Sequence, residues 1–213
     1  MRGGGHGRTF DLVALPYDLF FHSQRRAFRR VFRAHGGMLD LPSDARVLDI
    51  GCGTGALASV LAERGFRVSA VEPSAGMRER ARRRLRGTGV ALSAGDALEG
   101  LPFPDGAFDL VVASHVVHGM SATDRVTFYR EALRVSTGLV LFHDYAPRHP
   151  RHSPPDAPFL ETLERSDYRR FVRDGAAEMR LVFASVALIA VGPGSAWYVC
   201  RAAPAGVGRA SPG

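Results

Sequence analysis

Nine consecutive residues, Val47-Leu48-Asp49-Ile50-Gly51-Cys52-Gly53-Thr54-Gly55, constrain the fold of this 213-residue chain more than any other stretch. The apolar run from Arg46 to Ile50 reads as a short buried strand. Three glycines at alternate positions then let the main chain turn tightly and let a ligand lie against bare backbone. The pattern from Ala56 to Arg64 predicts a helix whose first turn offers N–H groups to an acceptor. A second unit follows directly, a strand over Phe66 to Val71 and a helix to about Arg86, capped by Ser74 or a neighbour. Two successive β-α units call for parallel strands, because each helix returns the chain to the same end of the sheet.

Three more strands are predicted at Val90 to Ser93, Phe108 to Ala113 and Leu139 to Phe142, with a helix over Thr123 to Arg134 before the last of them. Between about Tyr17 and His35, Phe20, Phe21, Ala27, Phe28, Val31 and Phe32 recur at helical spacing against an arginine-rich opposite face, which predicts an amphipathic helix. A loop rich in Pro and His, Pro147 to Pro158, precedes a helix expected from about Phe159 to Phe171. The last two strands, Val182 to Val191 and Ala196 to Arg201, are joined only by Gly192-Pro193-Gly194-Ser195. So short a link permits a hairpin and forbids a parallel crossover, so the sheet ends in an antiparallel strand. Residues 1–9 and 203–213 read as tails, leaving one domain over 10–202.

Composition narrows the function classes. At 46% hydrophobic and 23% charged the chain is globular in character, and its longest apolar run falls far short of the ~20 residues that span a bilayer. No membrane insertion is expected. The N-terminal stretch lacks the apolar core of a secretory signal, which points to the cytoplasm. Two cysteines, Cys52 and Cys200, fit a reducing compartment and have no metal-ligand spacing, so no metal is expected. The formal charge of +7 raises the question of nucleic acid, yet all 28 basic residues are Arg, with no Lys and no Asn in the chain. That bias is the mark of a GC-rich genome writing its surface charges. The run Arg78 to Arg86 accordingly reads as a solvated helix face, and nucleic acid is not the expected partner.

Gly51-x-Gly53-x-x-Ala56 also satisfies the degenerate dinucleotide fingerprint, so two ligand readings compete. Asp49 separates them. A carboxylate two residues before the first glycine would repel a pyrophosphate, and it suits the α-ammonium group of S-adenosylmethionine, which carries no phosphate. Glu72, at the end of the second strand, can accept both ribose hydroxyls of either ligand. Asp96, in Gly95-Asp96-Ala97 after the third strand, can accept from an adenine amino group, although a turn-forming Asp reads equally well there. An oxidoreductase of the Tyr-x-x-x-Lys type is excluded by the absence of Lys.

Taken together, VLDIGCGTG, VSAVEPSAGM and GDALEGLPFPDGAFDLVVASHVVHGM resemble the class I S-adenosylmethionine-dependent methyltransferases, in particular the group similar to ubiquinone/menaquinone-biosynthesis methyltransferases. The resemblance is strong over residues 45–145. It implies a Rossmann-like three-layer α/β sandwich with a seven-stranded, mostly parallel sheet and an antiparallel last strand. It also implies that Asp49, Gly51, Gly53 and Gly55 hold the methionine part of the co-substrate and Glu72 the ribose. Pro73 and Met77 would pack beside adenine, Asp96 and Ala97 would bind its edge, and Ser114 with His115 would close the site. Tyr17 resembles the N-terminal aromatic that covers the co-substrate, and a core aromatic fits the same position. The chain departs from the group at Arg134-Val135-Ser136-Thr137-Gly138, a shorter turn without the usual Pro, which weakens any transfer of substrate identity.

Methyl transfer is an in-line displacement, so the protein chiefly supplies proximity and orientation, and a base where the nucleophile has a proton to lose. Such groups belong at the carboxyl ends of the fourth and fifth strands, Ser114-His115-Val116-Val117-His118 and Phe142-His143-Asp144-Tyr145. His118 and His143 are the candidate bases, each with a structural reading beside it. The acceptor is expected to be a small molecule, methylated on O, C or N. Methylation of RNA or protein, and S-adenosylmethionine binding without catalysis, stand as alternatives, and the oligomeric state is not written in these residues.

Overall fold

The computed structural model describes residues 21–147 and 167–203. Tyr17, both tails except Ala203, and the Pro- and His-rich loop beyond Pro147 lie outside the described residues. Seven strands form one sheet: β1 (Arg46–Ile50), β2 (Arg67–Val71), β3 (Ala91–Ser93), β4 (Leu110–Ser114), β5 (Leu139–Tyr145), β6 (Ser185–Gly192) and β7 (Ser195–Arg201). Their order is β3-β2-β1-β4-β5-β7-β6. β1 to β5 pair in parallel, and β7 runs antiparallel to both β5 and β6. The sheet is the one expected from the sequence, down to the antiparallel last strand.

Helices cover both faces. α1 (residues 21–35), α2 (Ala56–Glu63) and α3 (Ala75–Arg84) line one side, with α4 (Ala122–Val135) and α5 (Tyr168–Met179) on the other. The strand period of two sorts the core into two layers. Val47, Leu110, Val112, Leu141 and Trp197 pack with Phe28, Phe32 and Leu61 of the first layer. Leu48, Val111, Val140, Phe142 and Tyr198 pack with Phe128, Tyr129 and Phe171 of the second. With both faces covered, β1, β4 and β5 carry continuous buried runs, as strands covered on both sides do.

Three boundaries among the described residues differ from the sequence reading by three residues or more. β5 continues past Phe142 to Tyr145, because every residue of the extension pairs with β7 and is buried, His143 and Asp144 included. Polar residues masked a strand end. α5 runs on to Met179, eight residues beyond the expected Phe171, burying Phe171, Gly175 and Met179 on one face. β6 begins at Ser185 instead of Val182, since Arg180 to Phe183 form the turn that leaves α5.

Strand order reverses between β1 and β4, the switch point at which open α/β sheets bind ligands in a crevice outside the carboxyl ends of the strands. The turn after α4 closes without proline through Ser136, whose N–H and hydroxyl donate to the Leu133 carbonyl and whose Oγ accepts the Gly138 N–H. The Arg134 guanidinium binds Glu131 and Asp105 and donates to the carbonyls of Leu101 and Phe103, tying the segment before β4 to α4. Among the described residues no helix is long and apolar enough to cross a membrane.

Arg125 of α4 is completely buried, bidentate on Glu178 of α5 at 2.6 and 2.9 Å, with its third nitrogen on the Met120 carbonyl. Removing one charge leaves the other buried without compensation, which costs far more than replacing both. Glu178→Gln is expected to lose about 3 kcal/mol in chemical denaturation. The double variant Arg125→Met/Glu178→Leu is expected to recover most of it.

Candidate functional site

The turn after β1 is built from left-handed backbone. Gly51, Gly53 and Gly55 have φ of 71°, 56° and 86°. Their reasons differ. A Cβ on Gly51 would stand 2.8 Å from Val116 Cγ2, and one on Gly55 would stand 2.8 Å from Leu85 Cδ1, so these two glycines serve close packing. A Cβ on Gly53 would meet nothing within 4 Å. Gly53 therefore borders open space, where bare main chain faces whatever occupies the crevice.

Glu72 organises this turn. Its Oε2 accepts the Gly53 N–H at 2.8 Å and its Oε1 accepts the Ser74 N–H at 2.9 Å, so one buried carboxylate spans the loops after β1 and β2. Ser74 caps α3, its hydroxyl accepting from Met77 N–H. Arg78, one turn on, donates to the Glu72 carbonyl at 2.7 Å.

Asp49 lies beneath the turn, almost fully buried. Its Oδ2 has no hydrogen-bond partner among the described residues. Burial first, and then the nearby Glu72 carboxylate, push its pKa up to about 7, against a backbone hydrogen bond from Ala58. A carboxylate so placed needs a cation or a strong donor to hold its charge. Asp96 lies half-buried after β3, its Oδ1 accepting the Leu98 N–H at 2.9 Å, and Ala97 beside it is buried. Pro73 is exposed and Met77 buried.

The second group of residues gathers where β4 and β5 end. Successive residues of β5 point to opposite faces, so His143 and Asp144 part company. His143 turns to the α1 side, where Trp197 Nε1–H donates to its Nδ1 at 3.2 Å and the Phe28 ring stands edge-on at 5.4 Å. Burial, reinforced by His115, pulls its pKa down to about 3. His143 is therefore a neutral ring whose basic nitrogen is already taken. Asp144 turns to the other side, where its Oδ1 lies 2.8 Å from His118 Nδ1 and 3.8 Å from His115 Nδ1. Its own pKa is held below the usual carboxylate value: burial pushes upward, and the histidines and hydrogen bonds outweigh it.

His115 has φ of +54°, a left-handed conformation rare for a side chain of this size. Its ring is 40% exposed and lies 5.3 Å from those of His143 and Tyr145. Tyr145 in turn stands against His118 and against Tyr168 of α5. The Ser114 hydroxyl is buried with no partner among the described residues.

The expected residues thus form two groups: Asp49, the glycines, Glu72, Pro73, Met77, Asp96 and Ala97 around the ends of β1 to β3, and Ser114, His115, His118 and His143 at the ends of β4 and β5. Gly51 links them by packing on Val116. Trp197 and Tyr168 were not foreseen. Trp197 sits on β7 in register with His143, a pairing that no local pattern encodes.

A methyltransferase-domain family model matches residues 47–137. The chain is 37% identical over 139 residues to malonyl-[acyl-carrier protein] O-methyltransferase of Geobacter sulfurreducens, covering 63% of this chain and 49% of the relative. It thus spans about half the length of that protein. It is 30% identical over 168 residues to an uncharacterized methyltransferase of Geobacillus thermodenitrificans, covering 76% and 74%. Among solved structures, a SAM-dependent methyltransferase from Aquifex aeolicus superposes with a TM-score of 0.59 at 17% identity, over 78% of this chain and 87% of that one. At that identity the match speaks for the fold alone.

The raised pKa of Asp49 makes a prediction about the ligand-free protein. Between the unfolded value near 4 and the folded value of about 7, the folded chain binds a proton that the unfolded chain does not. Stability contributed by this site therefore falls as pH rises through that window. Asp49→Asn is expected to gain on the order of 3 kcal/mol over the unsubstituted chain between pH 4 and pH 8, read from denaturation midpoints at each pH.

Proposed function

Since this chain belongs to the class I S-adenosylmethionine-dependent methyltransferases, of the kind similar to ubiquinone/menaquinone-biosynthesis enzymes, we propose that it transfers a methyl group from S-adenosylmethionine to a small-molecule acceptor and releases S-adenosylhomocysteine. The observation that carries this reading is the buried Asp49 carboxylate, with one oxygen unpartnered, directly beneath a glycine turn that faces open space at Gly53. An α-ammonium group answers that oxygen. A pyrophosphate would meet repulsion from Asp49.

S-adenosylmethionine supplies an electrophilic methyl carbon on a sulfonium. The chain's residues do the rest. Gly53 gives the methionine part room against the main chain, and Gly51 and Gly55 keep the turn packed on Val116 and Leu85. Glu72 holds the turn through two N–H groups, and a carboxylate, which can accept about four hydrogen bonds, is not exhausted by them. The ribose hydroxyls belong there. Met77 and Pro73 flank the adenine, and Asp96 with Ala97 meets its edge. Tyr17 remains the proposed aromatic cover from the N-terminal side.

For the acceptor, the two candidate bases separate. His143 has its lone pair held by the Trp197 indole, so we assign it to positioning. His118 is the one bound to Asp144, and with His115 it forms the face against which the acceptor lies. Ser114 closes the gap between the two groups of residues.

The test is calorimetric titration with S-adenosylhomocysteine and, separately, NAD. Micromolar binding of the first, none of the second, and loss of binding in Asp49→Ala and Glu72→Ala are expected. Gly53→Ala, whose Cβ enters open space, is expected to weaken S-adenosylhomocysteine at least tenfold while lowering stability by only about 1 kcal/mol for its left-handed backbone. Equal binding of NAD, or no binding of S-adenosylhomocysteine, overturns the reading.

A further inference from the structure

His115, His118 and Asp144 come from three places in the chain, the turn after β4, the short 3-10 segment Val117–Gly119 and the end of β5, and their ligating atoms converge. One atom from each lies within 4.8 Å of the others. Three atoms bound to one ion at about 2.1 Å stand roughly 3 to 4 Å apart, so a small swing of the exposed His115 ring completes the set. Two independent features point the same way. Asp144 is 1% exposed, and its Oδ2 has no hydrogen-bond partner among the described residues, an arrangement that a buried carboxylate does not adopt without cause. His115 takes a left-handed backbone, and its Nδ1 lies 3.8 Å from Asp144 Oδ1.

We propose that His115, His118 and Asp144 bind one divalent first-row transition-metal ion, with zinc as the type, and that this ion activates an acceptor hydroxyl. Two imidazoles and one carboxylate suit zinc, iron(II), manganese or nickel, and do not suit magnesium or calcium, which take oxygen sets. Among the described residues three protein ligands converge, the number found in catalytic and not structural zinc sites. An acceptor hydroxyl bound there loses its proton to water near neutral pH. Its oxygen then attacks the methyl carbon, the new O–C bond forms, and the S–C bond breaks with its electron pair returning to sulfur. Charge and atoms balance without any oxidant. In this arrangement His118 is a ligand and not a base.

The hydroxyl-activating role rests on the methyl-transfer reading, whereas ion binding does not. The chelator-treated full chain is titrated with zinc chloride, and in a separate cell with S-adenosylhomocysteine. One zinc per chain is expected, weakened tenfold or more in His115→Gly and His118→Ala. His115→Gly is the safer variant, since glycine accepts the φ of +54° without strain and the side chain it removes is partly exposed. Cobalt(II) in place of zinc is expected to give visible d–d absorption that His115→Gly abolishes. Asp49→Asn is expected to keep zinc while losing S-adenosylhomocysteine, so failure at one site leaves the other readable. No zinc uptake, or uptake undiminished in both histidine variants, overturns the proposal and leaves a hydrogen-bonded His118–Asp144 pair.

Discussion

A sheet buried on both faces sends each successive side chain of a strand into a different helical layer, and only the strand ends escape cover. Every residue with chemistry in this protein is placed by that constraint. Asp49 falls on the α1 side of β1, one residue short of the end, which is why it is buried and still borders the glycine turn. His143 and Asp144 are neighbours in sequence and separated by the thickness of the sheet. One is sealed under Phe28 and Trp197, and the other is joined to His118. Two apparently equivalent histidines, His118 and His143, therefore sit in different surroundings, one paired with Asp144 and the other sealed under Phe28 and Trp197.

The turn after β1 depends on a second long-range device. Left-handed backbone at three alternate glycines is permitted by the residue type, but permission does not choose one conformation among many. The choice is made by Glu72, which holds Gly53 and Ser74 with its two oxygens, and by Val116 and Leu85, which fill the space a side chain at Gly51 or Gly55 would need. Burial first, and then repulsion between two carboxylates under one turn, raise the pKa of Asp49. A cationic ligand relieves that repulsion, so stability is given up in the empty protein where affinity is gained in the loaded one.

The buried Arg125–Glu178 pair supports the opposite end of the site. It fixes α5 to α4 and ties both to the carbonyl of Met120, directly after the segment that bears His118. Tyr168, at the start of α5, is thereby held against Tyr145. Geometry at the histidine group is thus set by packing well outside it, which rigid elements transmit more faithfully than loops.

Reading the residues alone was enough for the strand-turn-helix signature, the parallel sheet and the antiparallel end, because each is local: alternating glycines, apolar runs of strand length, and a four-residue link too short for a crossover. The positions of Asp49, Glu72 and Asp96, at or just after the ends of β1, β2 and β3, were legible for the same reason. The strand end at Tyr145 was hidden, since polar residues buried by pairing with β7 look like loop. The close meeting of His115 and His118 with Asp144, and the capture of His143 by Trp197, were beyond local pattern altogether. Those contacts join residues far apart in the chain, and which nitrogen meets which partner is set by sheet register and by the face each side chain takes, quantities that exist only once the strands are paired.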